Sequence, residues 1–308
     1  MKSPLKSFFS FNSFNSFNYW IYLGIFFVVQ LLIPSISDAL HLPTIEVTPL
    51  KNNPNIALGI TMAKKTISEI IISRKQYVLS WNKDKRVINW AAWKLDSSDL
   101  GHTPRPRHFL LDKELSRFLD STSINAVDPS EYNNSCFDRG HQVPSGDRKN
   151  SKDDDKTTFY MSNIIPQTAY LNRGAWEHLE EWEREQIRNG KKRLYIVVGT
   201  IFDKDYGSIG PNKDIVVPAK NYKIIVTTEA DSGKILATSA VIMPNITSNG
   251  EPPTDRHTLC EESGVDNKKL FLNEGDNDQN KSDDWKKYLV DISQVEKISG
   301  FKFFTPLY

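Results

Sequence analysis

Phe137-Asp138-Arg139-Gly140-His141 sets an imidazole beside a carboxylate and a guanidinium. Further along, Asn172-Arg173-Gly174-Ala175-Trp176 opens an expected helix that also carries Glu180 and Arg184. His141 can act as a base near neutral pH, because an unperturbed imidazole titrates at about 6.5. Asn172 offers a hard amide oxygen. Arg139 and Arg184 offer forked contacts to phosphate oxygens. A base, an oxygen ligand and cations for an anion are the parts that phosphodiester hydrolysis requires.

No His/Cys cluster with metal-ligand spacing and no His-Glu-x-x-His occurs in the sequence, so a metal has to be argued from oxygen ligands. Mg²⁺ keeps most of its waters and can be held by very few protein atoms, with Mn²⁺ as the second option. Asn172 is the candidate ligand. Glu180 and Asp138 are candidates for holding a water of the ion's shell. A helix turns about 100° per residue, which sets Asn172, Trp176, Glu180 and Arg184 along one broad face. Gly140 is expected to let the backbone turn tightly beneath His141. Each part alone has a blander reading. Asp-Arg-Gly-His arises by chance, and Glu180 with Arg184 reads by default as an exposed helix ion pair. His41, His102, His108, His178 and His257 have no comparable setting.

The elements that must position these residues are legible in outline. Tyr77–Trp81 and Val87–Leu95 read as a hairpin across the turn Asn82–Lys85, with Trp90 and Trp93 facing a core. Gly101–Phe109 is a loop stiffened by Pro104 and Pro106, and its Arg105 and Arg107 suit phosphate contacts. Leu115–Val127 reads as irregular or briefly helical. The charge run Arg148–Lys156, with Asp153-Asp154-Asp155, reads as a solvated loop rather than a metal site. Thr157–Ser162 reads as a strand, Asn163–Tyr170 as a loop, and Asn172–Arg188 as one helix stopped at Asn189-Gly190. Strands are expected at Leu194–Gly199, Ile215–Pro218, Tyr222–Thr228 and Ile235–Met243. Asn245–Asp283 reads as a long, polar, mobile connection. Structure resumes at Asp284–Val290, and Ile292–Gly300 reads as a final helix. This order predicts an α+β domain with a mainly antiparallel sheet.

Composition limits the rest. The 308 residues are 39% hydrophobic and 11% aromatic, enough to bury a core, and the negative mean hydropathy excludes a polytopic membrane protein. Residues 1–39 read as a signal peptide or N-terminal anchor: Lys2 and Lys6, an apolar run Ile21–Ile33, and Ser37-Asp38-Ala39 as a cleavage site. A secreted or periplasmic location follows, with a membrane-anchored exported domain as the alternative. Lys2, Lys6 and Asp38 fall in that leader. Of 39 basic and 38 acidic side chains, the remainder keeps 37 of each, so bulk charge does not argue for a nucleic-acid partner. Residues 40–55, with three prolines, read as a linker, and residues 56–308 as the folded domain. The two cysteines, Cys136 and Cys260, leave a disulfide open.

Asp138-Arg139-Gly140-His141, Ser162–Gln167 and Asn172–Trp176 with Glu180 together resemble the DNA/RNA non-specific endonuclease family. This is the ββα-metal group that includes the Serratia and Anabaena nucleases and endonuclease G. The resemblance runs from about Tyr77 to the C-terminus, and its cyanobacterial branch is nearest. It implies a ββα-metal active site with His141 as general base and Asn172 as the direct protein ligand of Mg²⁺. It further implies that Glu180 orients a water of the ion, and that Arg139, Arg184 and, by position, Arg105 contact phosphate. The implied activity is hydrolysis of DNA and RNA irrespective of sugar. A cognate inhibitor protein is a further possible partner. Leu58-Gly59-Ile60-Thr61 departs from the family pattern, as does the polar insert around Cys260. Two rival readings remain: a catalytically decayed nucleic-acid-binding or interaction protein on this fold, and a small-molecule nucleotide phosphodiesterase.

Overall fold

The computed structural model describes residues 42–261 and 283–306. The expected leader at 1–39 and most of the polar stretch before Asp283 lie outside them. The strands are β1 (Thr44–Glu46), β2 (Ile60–Ala63), β3 (Ile70–Ser73), β4 (Val78–Asn82), β5 (Val87–Leu95), β6 (Asp138–His141), β7 (Ile164–Gln167), β8 (Lys192–Ile201), β9 (Ser208–Ile209), β10 (Ile215–Val216), β11 (Lys220–Glu229), β12 (Ile235–Pro244) and β13 (Phe301–Thr305). The helices are α1 (Lys113–Leu119), α2 (Lys152–Thr158), α3 (Ala169–Asn172), α4 (Ala175–Ile187), α5 (Arg256–Glu261) and α6 (Ile292–Ser299).

A seven-stranded sheet in the order β1-β3-β4-β5-β8-β11-β12 is antiparallel throughout except for the β1–β3 pair. Its central strand β5 is buried on both faces, so it reads as a nearly continuous apolar run rather than an alternating one. Trp93 and Ala91 point into one core with Trp176 and Leu179 of α4; Trp90 and Ala92 point into the other with Val295 of α6 and Phe301 and Phe303 of β13. Each fully buried large apolar side chain contributes about 1.5–3 kcal/mol. The small β6/β7 ladder and α4 lie over the Trp93 face, and this is the side that carries the candidate site. The architecture is the expected α+β arrangement.

Several local expectations are corrected. Thr44–Glu46, inside the expected linker, pairs with Ile71–Ser73, and Asn53 and Asn55 are buried. Their amides satisfy one another and the carbonyls of Arg74 and Lys75, which polarity alone does not reveal. The charge run is not a solvated loop: Ser151 caps α2, three carboxylates occupy its first turn, and Asp154 and Asp155 are buried. The same helix consumes the first two residues of the expected strand Thr157–Ser162. The hydroxyls of Thr157 and Thr158 bond back to the carbonyls of Asp154 and Asp155, offsetting their β preference. A 3₁₀ turn follows at Met161–Asn163, and the strand is instead β7, in the segment expected as a loop. Pro166 is tolerated there because β7 pairs only with β6. The expected single helix at 172–188 is two, α3 and α4, broken at Arg173-Gly174.

Candidate active site

Strand β6 places the motif in register against β7: Asp138 opposite Gln167, Arg139 opposite Pro166, Gly140 opposite Ile165 and His141 opposite Ile164. Alternation along a strand sends Arg139 and His141 to one face and Asp138 to the other. Gly140 makes no turn. It is a strand residue over which the Gln167 side chain packs so closely that any Cβ would land inside its amide.

His141 is 9% exposed. Its ring lies between Phe159, centroids 4.7 Å apart and edge-on, and Phe109 at 5.3 Å. Its Nε2 is sealed from solvent without a hydrogen-bond partner. Burial, then the charges of Arg105 and Lys149, push its pKa down to about 3, so the ring is neutral across the physiological range. Two arginines stack on the rings that hold it. Arg105 lies 5.1 Å from the Phe159 centroid, and Arg139 lies 5.5 Å from that of Phe109. Arg139 also donates through Nη2 to Pro129 O and Asn133 Oδ1, both at 2.9 Å, so one arm of the fork is fixed by the protein. Arg107, grouped with Arg105 in the sequence, faces elsewhere, in a pocket with Lys152 and Lys156.

On the other face of β6, Asp138 does not have the free carboxylate expected of a water holder. It accepts Asn172 Nδ2 at 2.8 Å and a two-armed ion pair from Arg173 at 2.8 and 2.6 Å. This fixes the Asn172 amide with its nitrogen toward Asp138, and Oδ1 accepts no hydrogen bond from the described residues. Among the described residues no group of three His, Cys, Asp or Glu is placed to hold a metal. The Asn172 oxygen, left without a donor, would fit a hard cation, as an uncharged ligand suited to an ion that retains its waters.

Helix α4 brings Glu180 and Arg184 to the same region, though not as a pair. Arg184 reaches Asp147 Oδ1 at 3.3 Å, and Asp147, fully buried, accepts Trp93 Nε1 at 3.0 Å through its other oxygen. Gly146 makes this possible, since a Cβ there would sit 2.7 Å from Arg184 Nη1. Glu180 is half-buried. Burial pushes its carboxyl up to about 8, against the lowering pull of Lys223 and Arg184. Behind it, Lys223 and Glu183, both wholly buried, meet at 3.1 Å, with the ammonium 4.6 Å from the Trp176 ring centroid. Burial raises the Glu183 carboxyl as well.

Sequence reasoning missed Arg173, Asp147, Glu183, Lys223 and the two phenylalanines around His141. One signal was present: Glu183 falls in the stripe Trp176, Leu179, Ile187 that α4 buries. A carboxylate in an apolar stripe requires a buried partner. Nearby, Cys136 and Cys260 are disulfide-bonded, Cα atoms 5.4 Å apart, tying the entry to β6 to α5.

The model of the DNA/RNA non-specific endonuclease family matches residues 56–308. A nuclease of Nostoc sp. is 33% identical over 280 residues, covering 89% of this chain and 86% of that protein. The Serratia marcescens nuclease is 30% identical over 182 residues, 57% of this chain and 65% of its own. Human mitochondrial endonuclease G is 29% identical over 206 residues, 62% of this chain and 65% of its own. Among solved structures, a chain of the EndoG/EndoGI complex superposes with a TM-score of 0.61 at 22% identity, over 83% of this chain and 92% of that one, which shows a shared fold. The family match spans every strand of the main sheet but β1, the β6/β7 ladder and both helices that carry the site, and the chain belongs to the DNA/RNA non-specific endonucleases.

Proposed function

We propose that the protein is a Mg²⁺-dependent endonuclease that hydrolyses DNA and RNA with little sequence preference, His141 being the base that takes a proton from the attacking water. The observation that carries this is the state of His141: a neutral imidazole, sealed at Nε2 and held between Phe109 and Phe159. Nδ1 is then the nitrogen left to receive the proton. Asn172 Oδ1 would hold the cation, which when bound neutralises phosphate charge and favours departure of the leaving oxygen. Mn²⁺ would fit the same oxygen. Arg139, Arg105 and Arg184 bind non-bridging phosphate oxygens and grip the charge that builds at the reacting phosphorus. Glu180 would hold a water beside the cation. These contacts address phosphate and not base edges, and a water nucleophile has no need of a 2′-hydroxyl.

The leader-like residues 1–39 and the Cys136–Cys260 disulfide favour an exported, oxidising location. The likeness to a nuclease solved with an inhibitor makes a cognate inhibitor protein a reasonable partner. The test is digestion of plasmid, single-stranded DNA, structured RNA and a dinucleotide, with Mg²⁺ and with excess chelator. All three polymers should be cut with Mg²⁺ alone, and His141→Ala should lose about 10²–10⁴-fold in rate. Full activity in chelator, or near-normal turnover by a folded His141→Ala protein, rejects the mechanism; cutting of the dinucleotide alone rejects the substrate class.

A further inference from the structure

Beside the His141 site the structure has a second, separate cationic pocket of about 330 Å³. Pro104, Pro106 and Leu110 line it with apolar surface, and Arg107, Lys152 and Lys156 bring positive charge, with His108 beside them. Among the described residues no acidic side chain lines it. Two lysines nearby are matched by contrast: Lys149 pairs with Asp155, and Lys75 with Asp154. Arg107, Lys152 and Lys156 are exposed and have no ion pair among the described residues, although exposed Asp153 adjoins Lys152. Lys152 and Lys156 stand four apart on α2, so they share one helix face. Holding unpaired cations together costs free energy through like-charge repulsion, which a bound polyanion removes.

One stretch of chain links the pocket to the proposed site. The segment from Thr103 to Leu110 is anchored at both ends, Thr103 N to Lys149 O and Leu110 N to Phe159 O. Two prolines stiffen it. Arg105 leaves this strap toward Phe159 and His141, whereas Arg107 leaves it into the pocket. Phe159, which supports His141 and Arg105, follows directly on α2, the helix that carries Lys152 and Lys156.

We infer that this pocket is a strand-binding subsite outside the cleavage centre. Phosphates of the nucleic acid strand being cut fall on Arg107, Lys152 and Lys156, and a sugar or base of that strand lies on the Pro104, Pro106 and Leu110 floor. The inference rests on the nuclease reading for its ligand class. Residues 40–308 carry no net charge to attract a polyanion, so a local cluster of this kind supplies the attraction.

The experiment measures binding of a labelled twelve-nucleotide single strand to the full chain in chelator, so that no cutting is required, across a range of salt concentrations. Lys152→Ala/Lys156→Ala should weaken binding at low salt by roughly tenfold or more. It should also flatten the log–log salt dependence by about 1.4, the value for two single-strand phosphates. Arg107→Ala should flatten it by about 0.7 more. Lys152→Arg/Lys156→Arg should retain the wild-type slope. Lys65→Ala/Lys83→Ala, which removes the same charge from exposed positions elsewhere, should leave the slope unchanged. An unchanged slope in the Lys152/Lys156 variant, or an equal loss in the Lys65/Lys83 variant, overturns the subsite. A wild-type chain that cuts no nucleic acid with any divalent cation, yet shows this binding pattern, overturns the nuclease reading and leaves the subsite standing.

Discussion

Asp138 and Asn172, 34 residues apart in the chain, are joined by a hydrogen bond of 2.8 Å in which the asparagine amide is the donor. The bond decides which end of the amide is free. With Nδ2 committed to a carboxylate that Arg173 already neutralises, the oxygen is the atom left for a cation.

Asp138→Asn keeps the size of the side chain but removes the charge that both Asn172 and Arg173 answer. Asn172 then has no preferred orientation. The Mg²⁺ concentration for half-maximal activity should rise by about 10–100-fold, the usual cost of losing a partner behind a metal ligand. Titration of initial rates with Mg²⁺ measures it. An unchanged midpoint would show that Asp138 does not orient the ligand.

His141 should remain neutral down to unusually low pH. Its folded pKa is pushed to about 3, whereas an unfolded histidine titrates near 6.5. As pH falls below 6.5 the unfolded chain takes up the proton first. The stability this residue supports is therefore complete above 6.5 and is lost progressively toward pH 3. Two measurements follow. The His141 ring resonances should not titrate between pH 8 and 5, and His141→Gln should lose stability less steeply than wild type over the acid window. A ring that titrates near 6.5 contradicts this assignment.

Lys223→Met should destabilise the fold by about 3–5 kcal/mol, because it leaves the Glu183 carboxylate buried beside Trp176 without its cation. Adding Glu183→Gln should restore a large part of the loss. Denaturant unfolding of the two variants provides the comparison, and equal stabilities for the single variant and wild type would show that Glu183 is neutral without help from Lys223.

The Cys136–Cys260 bond closes a loop across 124 positions of sequence, and its removal by Cys136→Ser/Cys260→Ser should cost about 2–4 kcal/mol. The melting temperature of the wild-type protein should fall in reductant to that of the double variant. Identical melting with and without reductant would indicate that the two thiols are not bonded.

The sequence by itself determined the residue types suited to the proposed chemistry and the elements with strong periodicity. Val87–Leu95 stands as β5 with the expected bounds, and the α+β class with a mainly antiparallel sheet follows from the order of such segments. These features are local, since a strand's alternation or a helix's stripe is written in neighbouring residues. What failed was decided by side chains bonding back to the local backbone, as at Thr157 and Thr158, or by burial that local polarity conceals, as at Asn53, Asn55 and Asp155.

Only the tertiary structure decided what each site residue is free to do. Arg105 and Arg107, alike in sequence, separate because the proline-stiffened strap sends one to His141 and the other to Lys152 and Lys156. Glu180 and Arg184 have helix-pair spacing, yet Arg184 is taken by Asp147, which comes from the turn after β6. The orientation of Asn172 and the low pKa of His141 likewise depend on partners distant in the chain. Burial and long-range pairing set the energies that matter at a site, and both arise only when the sheet and its covering helices have closed over one another.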